Sequence, residues 1–185
     1  MLGMSKKLEI KDPAIHNISE KDVKEFVLDK FEDVKKSSKI NDLISFQTRN
    51  KFLIMSHDQE ELKKLGHIVA NYEKGQLSET VVEYEKHLRI ALEKEPTIKT
   101  HCNVILHVFG FFSKNFSQSE KELFFDLLKQ FQEKKITLGR LLSEINPIIY
   151  RFDSTYLASQ TYFLLYSNQE EGNLFKILAK SNSKN

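Results

Sequence analysis

The chain has 185 residues, of which 40% are hydrophobic and 29% are charged, and its formal net charge is +2 at pH 7. A chain of this length can bury enough surface to fold as one domain without a disulfide or a metal. Its single cysteine excludes an internal disulfide. With no evident secretory leader and no apolar run near the roughly 20 residues of a membrane span, we expect a cytoplasmic protein.

Helix signals dominate the sequence. Glycine and proline are scarce, at six and three residues, and residues that favour helix starts recur at short intervals. These features predict an all-α protein, a single compact bundle of about eight helices. We expect residues 1–18 to form a flexible N-terminal segment, residues 19–168 the helical domain, and residues 169–185 a mildly basic C-terminal tail that is frayed.

Four helices are predicted in the first half of the chain, because capping residues precede stretches with apolar residues at helical spacing. Their predicted starts, in chain order, are Ser19, Asn41, Asp58 and Ser78. The second helix should end at His57. The third should end near Gly75, since glycine favours the left-handed conformation found after a helix.

Four more helices are predicted in the second half. Their predicted starts are Thr97, then Ser117 with Glu120 or Ser119 with Glu122, then Thr137 and Ser154. Pro147 lies inside the seventh of these helices. Because proline lacks a backbone N–H and clashes with the preceding turn, we expect it to kink or break that helix.

The stretch HCNVILHVFGFF, residues 101–112, places the cysteine between two histidines. On a helix, His101 and Cys102 point about 100° apart, and His101 and His107 point about 240° apart. These side chains are therefore poorly placed to share a metal ion. Cys102 also has no histidine fixed beside it by local geometry, so we interpret it as a small core residue and expect no metal, cofactor or catalytic cysteine.

Helical projection shows a polar stripe on the same stretch. The stripe consists of Thr100, Asn103, His107, Gly110 and Lys114. A solvated helix face usually carries Glu and Lys, whereas a glycine costs about 1 kcal/mol of helix propensity. Gly110 therefore indicates that something approaches the backbone closely, which is either a neighbouring helix or a ligand such as a phosphate or a sugar.

The predicted second helix also carries polar residues on an apolar face. Asn50 and His57 lie among its apolar residues, and such groups must be hydrogen-bonded. This favours a structural histidine tied to a helix end or to a buried amide. Arg49 fits a phosphate best, because its planar guanidinium matches phosphate oxygens, although a surface salt bridge would also explain it.

Four blocks of the sequence, in their order and spacing, resemble the YbgA-type domain family, long known as a domain of unknown function. The blocks are FQTRNKFLIMSH, LKKLGHIVANYEKG, THCNVILHVFGFFSK and YLASQTYF. The residues that match the family pattern are Phe46, Arg49, Lys51, His57, Leu65, Gly66, His101, Asn103, Val104, His107, Gly110, Phe112, Tyr156, Leu157, Gln160 and Tyr162. Gln47, Asn50 and Thr100 depart from it and replace ionisable or basic groups, and Phe111 replaces its tyrosine.

The resemblance implies a function. Domains of this type occur alone or joined to an iron–sulfur domain similar to thiouracil desulfidases, in proteins linked to removing sulfur from 4-thiouridine in tRNA. In those proteins the YbgA-type part is thought to bind the RNA. One cysteine cannot hold a cluster within a single chain, since clusters need several thiolates. We therefore expect a non-catalytic RNA-binding module, for tRNA, with a separate tRNA-modifying or desulfurating enzyme as partner.

The hypothesis names the residues that would contact ligand or RNA. They are Arg49, Lys51, His57, His101, Asn103, His107, Gly110 and Lys114. Two alternatives stay open. In the first, His57, His101 and His107 converge between the second and fifth helices into the pocket of an enzyme or small-ligand-binding protein. In the second, the chain is an adaptor that holds a partner protein, or a second copy of itself, through an apolar groove or its first helix.

Overall fold

A computed structural model describes residues 18–73, 76–152, 154–168 and 170–184. Within these ranges the chain forms ten α-helices and no β-strand, which confirms the all-α class. The helices are α1 Glu20–Ser37, α2 Ile40–His57, α3 Gln59–Ala70, α4 Leu77–Glu93, α5 Ile98–Phe112, α6 Gln118–Gln132, α7 Leu138–Arg151, α8 Thr155–Ala158, α9 Thr161–Tyr166 and α10 Leu174–Asn182. No helix in these ranges combines the length and apolar character that crossing a membrane requires.

The predicted caps account for most helix starts. Six side chains accept a hydrogen bond from a backbone N–H of the first turn: Ser19, Asp58, Thr97, Ser117, Thr137 and Ser154. Ser117 and Glu120 form the reciprocal capping box, so the first of the two predicted starts of this helix is confirmed. The start at Ser78 is wrong, because α4 begins at Leu77 without a side-chain cap.

Two other helix boundaries differ from the predictions. The helix expected from Ser154 is divided into α8 and α9. The third helix ends at Ala70, and its expected end at Gly75 lies outside the described residues. Of the segment 1–18, only Ile18 is described, and it packs against the core.

The central helix of the fold is α2. It packs against α1, α3, α4, α5 and α9, and all its residues from 52 to 57 are buried. Polar groups in such a helix must find partners inside the protein. Accordingly, Asn50 Nδ2 donates to the carbonyl of Phe46 at 2.9 Å, and Ser56 Oγ donates to the carbonyl of Leu53 at 2.6 Å.

The corner between α2 and α3 is tied to the end of α4. Nδ1 of His57 lies 2.6 Å from the carbonyl oxygen of Lys94, and Nζ of Lys94 lies 2.6 Å from Oδ2 of Asp58. Because a carbonyl only accepts, Nδ1 of His57 carries the donated proton. The prediction of a structural histidine tied to a helix end is therefore confirmed for His57.

Pro147 does not break α7, which continues to Arg151. The missing N–H of proline would have bonded the carbonyl of Ser143, four residues earlier. The backbone N–H of Gly172 donates to that carbonyl instead, at 3.0 Å. A side chain at Gly172 would overlap the carboxyl group of Glu144, so only glycine allows this approach.

The segment after residue 168 is not the frayed end that we expected. Its residues Leu174–Asn182 form α10, which packs on α6 and α7. Phe175 is 4% exposed, and its ring centroid lies 5.8 Å from that of Phe116. Buried Glu144 accepts a hydrogen bond from the N–H of Leu174, at 2.9 Å, and so fixes the start of this helix.

The packing of α10 can be tested by truncating its buried anchor. Phe175→Ala should lower the free energy of unfolding by about 3 kcal/mol, because the large side chain leaves a cavity between α10 and the bundle. Ile177→Ala is the matched control on the same helix, since Ile177 is 55% exposed, and it should change stability by less than about 0.5 kcal/mol. Urea unfolding measures both, and equal effects of the two substitutions would contradict the docked position of α10.

The charge on Asp58 should make stability depend on pH. Burial alone would raise the pKa of Asp58, but hydrogen bonds from Lys94 and from the backbone N–H of Glu61 outweigh it and hold that pKa below its ordinary value. A lowered folded pKa stabilises the fold above the unfolded value, about 3.9, and this contribution is lost as pH falls through the folded pKa.

Asp58→Asn tests this linkage, because asparagine can still cap α3 but cannot pair with Lys94. At pH 7 the variant should be less stable by about 1 kcal/mol, and the difference should shrink in acid below the folded pKa of Asp58. Asp29→Asn, at an exposed position of α1, is the control. A deficit that persists unchanged in acid would contradict the role of the charge.

Candidate functional site

The eight residues predicted to contact a ligand fall in three places. Lys51, Asn103, His107, Gly110 and Lys114 lie at the surface around α5, and Arg49 lies in a cleft beside α1. His57 and His101 are buried, at 4% and 0% exposure. The structure therefore does not bring all eight together.

Three aromatic rings join α2, α5 and α8 at the first of these places. The ring centroid of Phe111 lies 6.3 Å from that of Phe52 and 5.7 Å from that of Tyr156, and Phe52 and Tyr156 lie 6.1 Å apart. We call these three residues the aromatic trio. Phe111 is 50% exposed, so the trio presents a ring to solvent, and Lys51, the neighbour of Phe52 in the chain, is also exposed.

The polar stripe of α5 runs beside this trio. Asn103 Nδ2 donates to Oε1 of Gln59 at 3.1 Å, whereas His107 and Lys114 are exposed. A side-chain carbon added at Gly110 would meet no described atom within 4 Å. Among the described residues, no neighbouring helix packs closely enough to require a glycine at this position. The backbone at Gly110 is therefore open to a partner.

Thr100, the first residue of the predicted stripe, has a structural role. Thr100 and Thr97 form a reciprocal capping box at the start of α5, with Thr97 N donating to Thr100 Oγ1 at 2.8 Å. We therefore use the name α5 stripe for Asn103, His107, Gly110 and Lys114. Asn103, His107 and Gly110 lie on α5, and Lys114 lies two residues beyond the end of the helix at Phe112.

Gln160 anchors the segment between α8 and α9 to α2. Its Nε2 donates to the carbonyl of Thr48 at 2.7 Å, and its Oε1 accepts from the N–H of Phe52 at 3.3 Å. These two backbone groups enclose the turn of α2 that carries Arg49 and Lys51. Their side chains project about 160° apart. Residue matching to the family pattern singled out Gln160, but this anchoring role was not predicted.

The two buried histidines belong to one polar cluster. We call Glu20, His57, His101, Tyr162 and Tyr166 the His–Tyr cluster. Nδ1 of His101 lies 2.8 Å from the hydroxyl of Tyr162, and the hydroxyl of Tyr166 donates to Oε1 of Glu20 at 3.0 Å. Nε2 of His57 lies 3.4 Å from Oε2 of Glu20.

This cluster holds α1, α2, α5 and α9 together through polar contacts. Burial raises the pKa of Tyr162 well above its ordinary value, so its hydroxyl stays neutral. Because the cluster is buried, His57 and His101 are out of reach of an RNA at the surface. His107 is exposed on α5 and does not join them, so the pocket expected between three histidines is not formed.

The three residues that replace ionisable or basic groups of the family pattern face inward or cap a helix. The hydroxyl of Tyr84 donates to Oε1 of Gln47, and Asn50 bonds the carbonyl of its own helix. Thr100 is part of the capping box described above. Thr100 therefore replaces a basic group at the start of the stripe predicted from the sequence, whereas Gln47 and Asn50 lie on α2.

Arg49 lies on the rim of a cleft with a volume of about 600 Å³. We call it the Arg49 cleft; it lies between α1, α2 and the α8–α9 segment, and is lined among others by Phe26, Lys30, Asp42, Arg49, Thr161 and Leu164. Arg49 forms no ion pair with any described residue, so the salt bridge considered for it from the sequence is not found there.

Cys102 is a packed thiol in the described structure. It is 6% exposed, and burial raises the pKa of its thiol, so the thiolate that a nucleophile needs is disfavoured. Among the described residues, no three His, Cys, Asp or Glu side chains converge in a way that could hold a metal ion.

Comparison with known proteins identifies relatives of the chain. Residues 51–167 match the model of a family described as protein of unknown function, DUF1722. The protein from Escherichia coli (strain K12) described as uncharacterized protein YbgA is 26% identical over 125 residues, which are 67% of this chain and 74% of that protein. No solved structure matches the chain significantly.

The anchor at Gln160 can be tested by removing its amide. Gln160→Ala should lower the free energy of unfolding by about 2 kcal/mol, because two buried hydrogen bonds are lost. Backbone amides of α8 and α9 should exchange faster with solvent deuterium. Thr155→Ala, at an exposed position of the same segment, should leave both measurements nearly unchanged. Unaltered exchange in the Gln160 variant would show that other contacts hold the segment.

Proposed function

Because this chain belongs to the DUF1722 family, whose description assigns no activity, we propose its function from its surface: it is a non-catalytic module that binds RNA. The first candidate is tRNA, and the module works beside a separate tRNA-modifying or desulfurating enzyme. The surface that carries the proposal is the α5 stripe with Lys51 and the aromatic trio.

The observation that carries the proposal is the distribution of carboxylates. The chain contains 26 Asp and Glu residues, yet segments 43–57, 96–119 and 154–168 contain none. The aromatic trio takes one ring from each of these segments, so the three acid-free segments are in contact at the exposed ring of Phe111. Carboxylates repel phosphates and lysines attract them. Because the net charge of the whole chain is only +2, attraction of RNA needs a local basic patch, and we assign that patch to this surface.

The side chains on this surface suit a nucleic acid. Lys51 and Lys114 are exposed cations without an ion-pair partner among the described residues. Asn103 and His107 offer hydrogen-bonding groups to phosphate or sugar, and Gly110 lets a backbone approach closely. Phe111 offers an exposed ring to an unpaired base, and such stacking is a common mode of RNA recognition.

The absence of a cluster-binding cysteine set supports the non-catalytic part of the proposal. An iron–sulfur cluster needs several thiolate ligands, and the chain has a single cysteine. A module of this kind would therefore supply affinity and orientation for an RNA, while its partner enzyme supplies the chemistry.

Titration of tRNA with the full chain tests the proposal. The association constant should fall steeply between about 50 and 200 mM salt, with a slope of about 0.9 per neutralised phosphate. Lys114→Glu and Lys51→Glu should each weaken binding by about tenfold and reduce the salt slope by about 1. Fluorescence anisotropy of labelled tRNA measures both quantities.

The matched control is Lys86→Glu on α4. Lys86 is exposed and lies beside Glu79 and Glu83, away from the acid-free segments, so the same change of charge should have a much smaller effect. Binding that does not respond to salt, or equal losses for Lys114 and Lys86, would refute the proposed surface.

A further inference from the structure

The Arg49 cleft is separate from the aromatic trio, although both border the same turn of α2. Its floor is apolar, since Val34 and Phe46 are buried and Phe26 is partly buried. Leu164 of α9, 69% exposed, adds an apolar side chain at the opposite wall. A cleft of this size and lining can enclose a flat ring system, because ligand sites typically have volumes of about 300–1,000 Å³.

The rim of the cleft carries two cations and two carboxylates that form no ion pairs with one another. Lys30 and Arg49 are the cations, and Asp33 and Asp42 are the carboxylates. None of the four forms an ion pair with a described residue, and Lys30 contacts only the ring of Phe26, at 5.7 Å from its centroid.

Two other sets of opposite charges that bridge separate helices do form ion pairs. Lys35 lies 3.1 Å from Glu85, and Arg151 lies 2.6 Å from Glu120. The rim of the Arg49 cleft is therefore complementary to a ligand that brings both an anionic group and hydrogen-bond donors.

Buried polar groups add specificity to the wall of the cleft. Asn50 lines it and is only 5% exposed. Its amide nitrogen is used by the carbonyl of Phe46, while its amide oxygen accepts no hydrogen bond from a described residue. Thr161, 8% exposed, also lines the cleft. These groups can bond a ligand that enters below the charged rim.

We propose that the Arg49 cleft binds a guanine nucleotide, with its phosphate on Arg49 and Lys30 and its base on the apolar floor formed by Phe26 and buried Phe46. Guanine is the base that presents two adjacent N–H donors on its pairing edge, which match the two oxygens of one carboxylate. Asp42 is the carboxylate that we assign to this role, because it lies on α2, the helix that carries Arg49. The base stacks on the apolar floor. Arg49 and Lys30 pair with the phosphate, and Asp42 accepts the hydrogen bonds of the base.

One source of this nucleotide is an RNA held by the α5 stripe, with one of its bases turned out into the cleft. That source rests on the proposed function. The binding of a guanine nucleotide does not depend on that source. A free nucleotide and an RNA-borne one share the chemistry, and separate titrations distinguish them.

Calorimetric titration of the full chain with GMP, UMP and inorganic phosphate tests the cleft. GMP should bind about tenfold more tightly than either UMP or phosphate, because it brings two adjacent N–H donors to the carboxylate, whereas UMP brings one and phosphate brings no base. Arg49→Gln should weaken GMP binding by about tenfold. Asp42→Asn should abolish the preference for GMP over UMP, and Lys86→Gln should leave GMP binding unchanged.

The outcomes are distinct from those of the tRNA experiment. If GMP fails to bind, binds no better than phosphate, or binds the Arg49 variant equally well, the nucleotide cleft is overturned, even where tRNA binding through Lys114 holds. If GMP binds as expected and tRNA does not bind, the cleft is supported as a site for a free nucleotide and the proposed function is overturned. Arg49 and Asp42 are not core residues, and matching unfolding curves of the variants confirm that they fold.

Discussion

The burial of the last six residues of α2, on every side of the helix, is the constraint on which the rest of the structure depends. Five helices pack around it, and each polar group that it carries inward must be bonded within the protein. His57 therefore bonds the end of α4, Asn50 bonds its own helix, and Gln160 from the α8–α9 segment bonds the turn between Thr48 and Phe52. These contacts fix where the neighbouring helices can lie.

The same constraint separates structural from available polar residues. His57 and His101 are buried in the His–Tyr cluster, which joins four helices. They therefore stabilise the fold rather than contact a ligand. The α5 stripe, Lys51 and Arg49 remain exposed because they face away from the core. The Gln160 anchor bonds the turn of α2 that carries Arg49 and Lys51. The side chains of these two residues project about 160° apart, so Arg49 borders the cleft and Lys51 does not.

Only part of the candidate site could be predicted from the sequence. The α5 stripe followed from helical projection: His107, Gly110 and Lys114 are exposed, whereas Asn103 is partly buried and bonded to Gln59. Projection could not show that His101 points into the cluster, because its partners Tyr162 and Tyr166 lie about sixty residues away in the chain. The charges around the Arg49 cleft were equally inaccessible, since Lys30, Asp42 and Leu164 come from three helices.

The sequence by itself determined the all-α class and most helix starts, because a cap and its first turn involve residues within three positions of each other. Only the tertiary structure decided that α7 passes through Pro147 and that α10 packs on the bundle. The first depends on the N–H of Gly172, and the second on Glu144 and the pocket around Phe116. Such hydrogen bonds and apolar contacts join residues that are far apart in the chain, and no local pattern specifies which distant groups will meet.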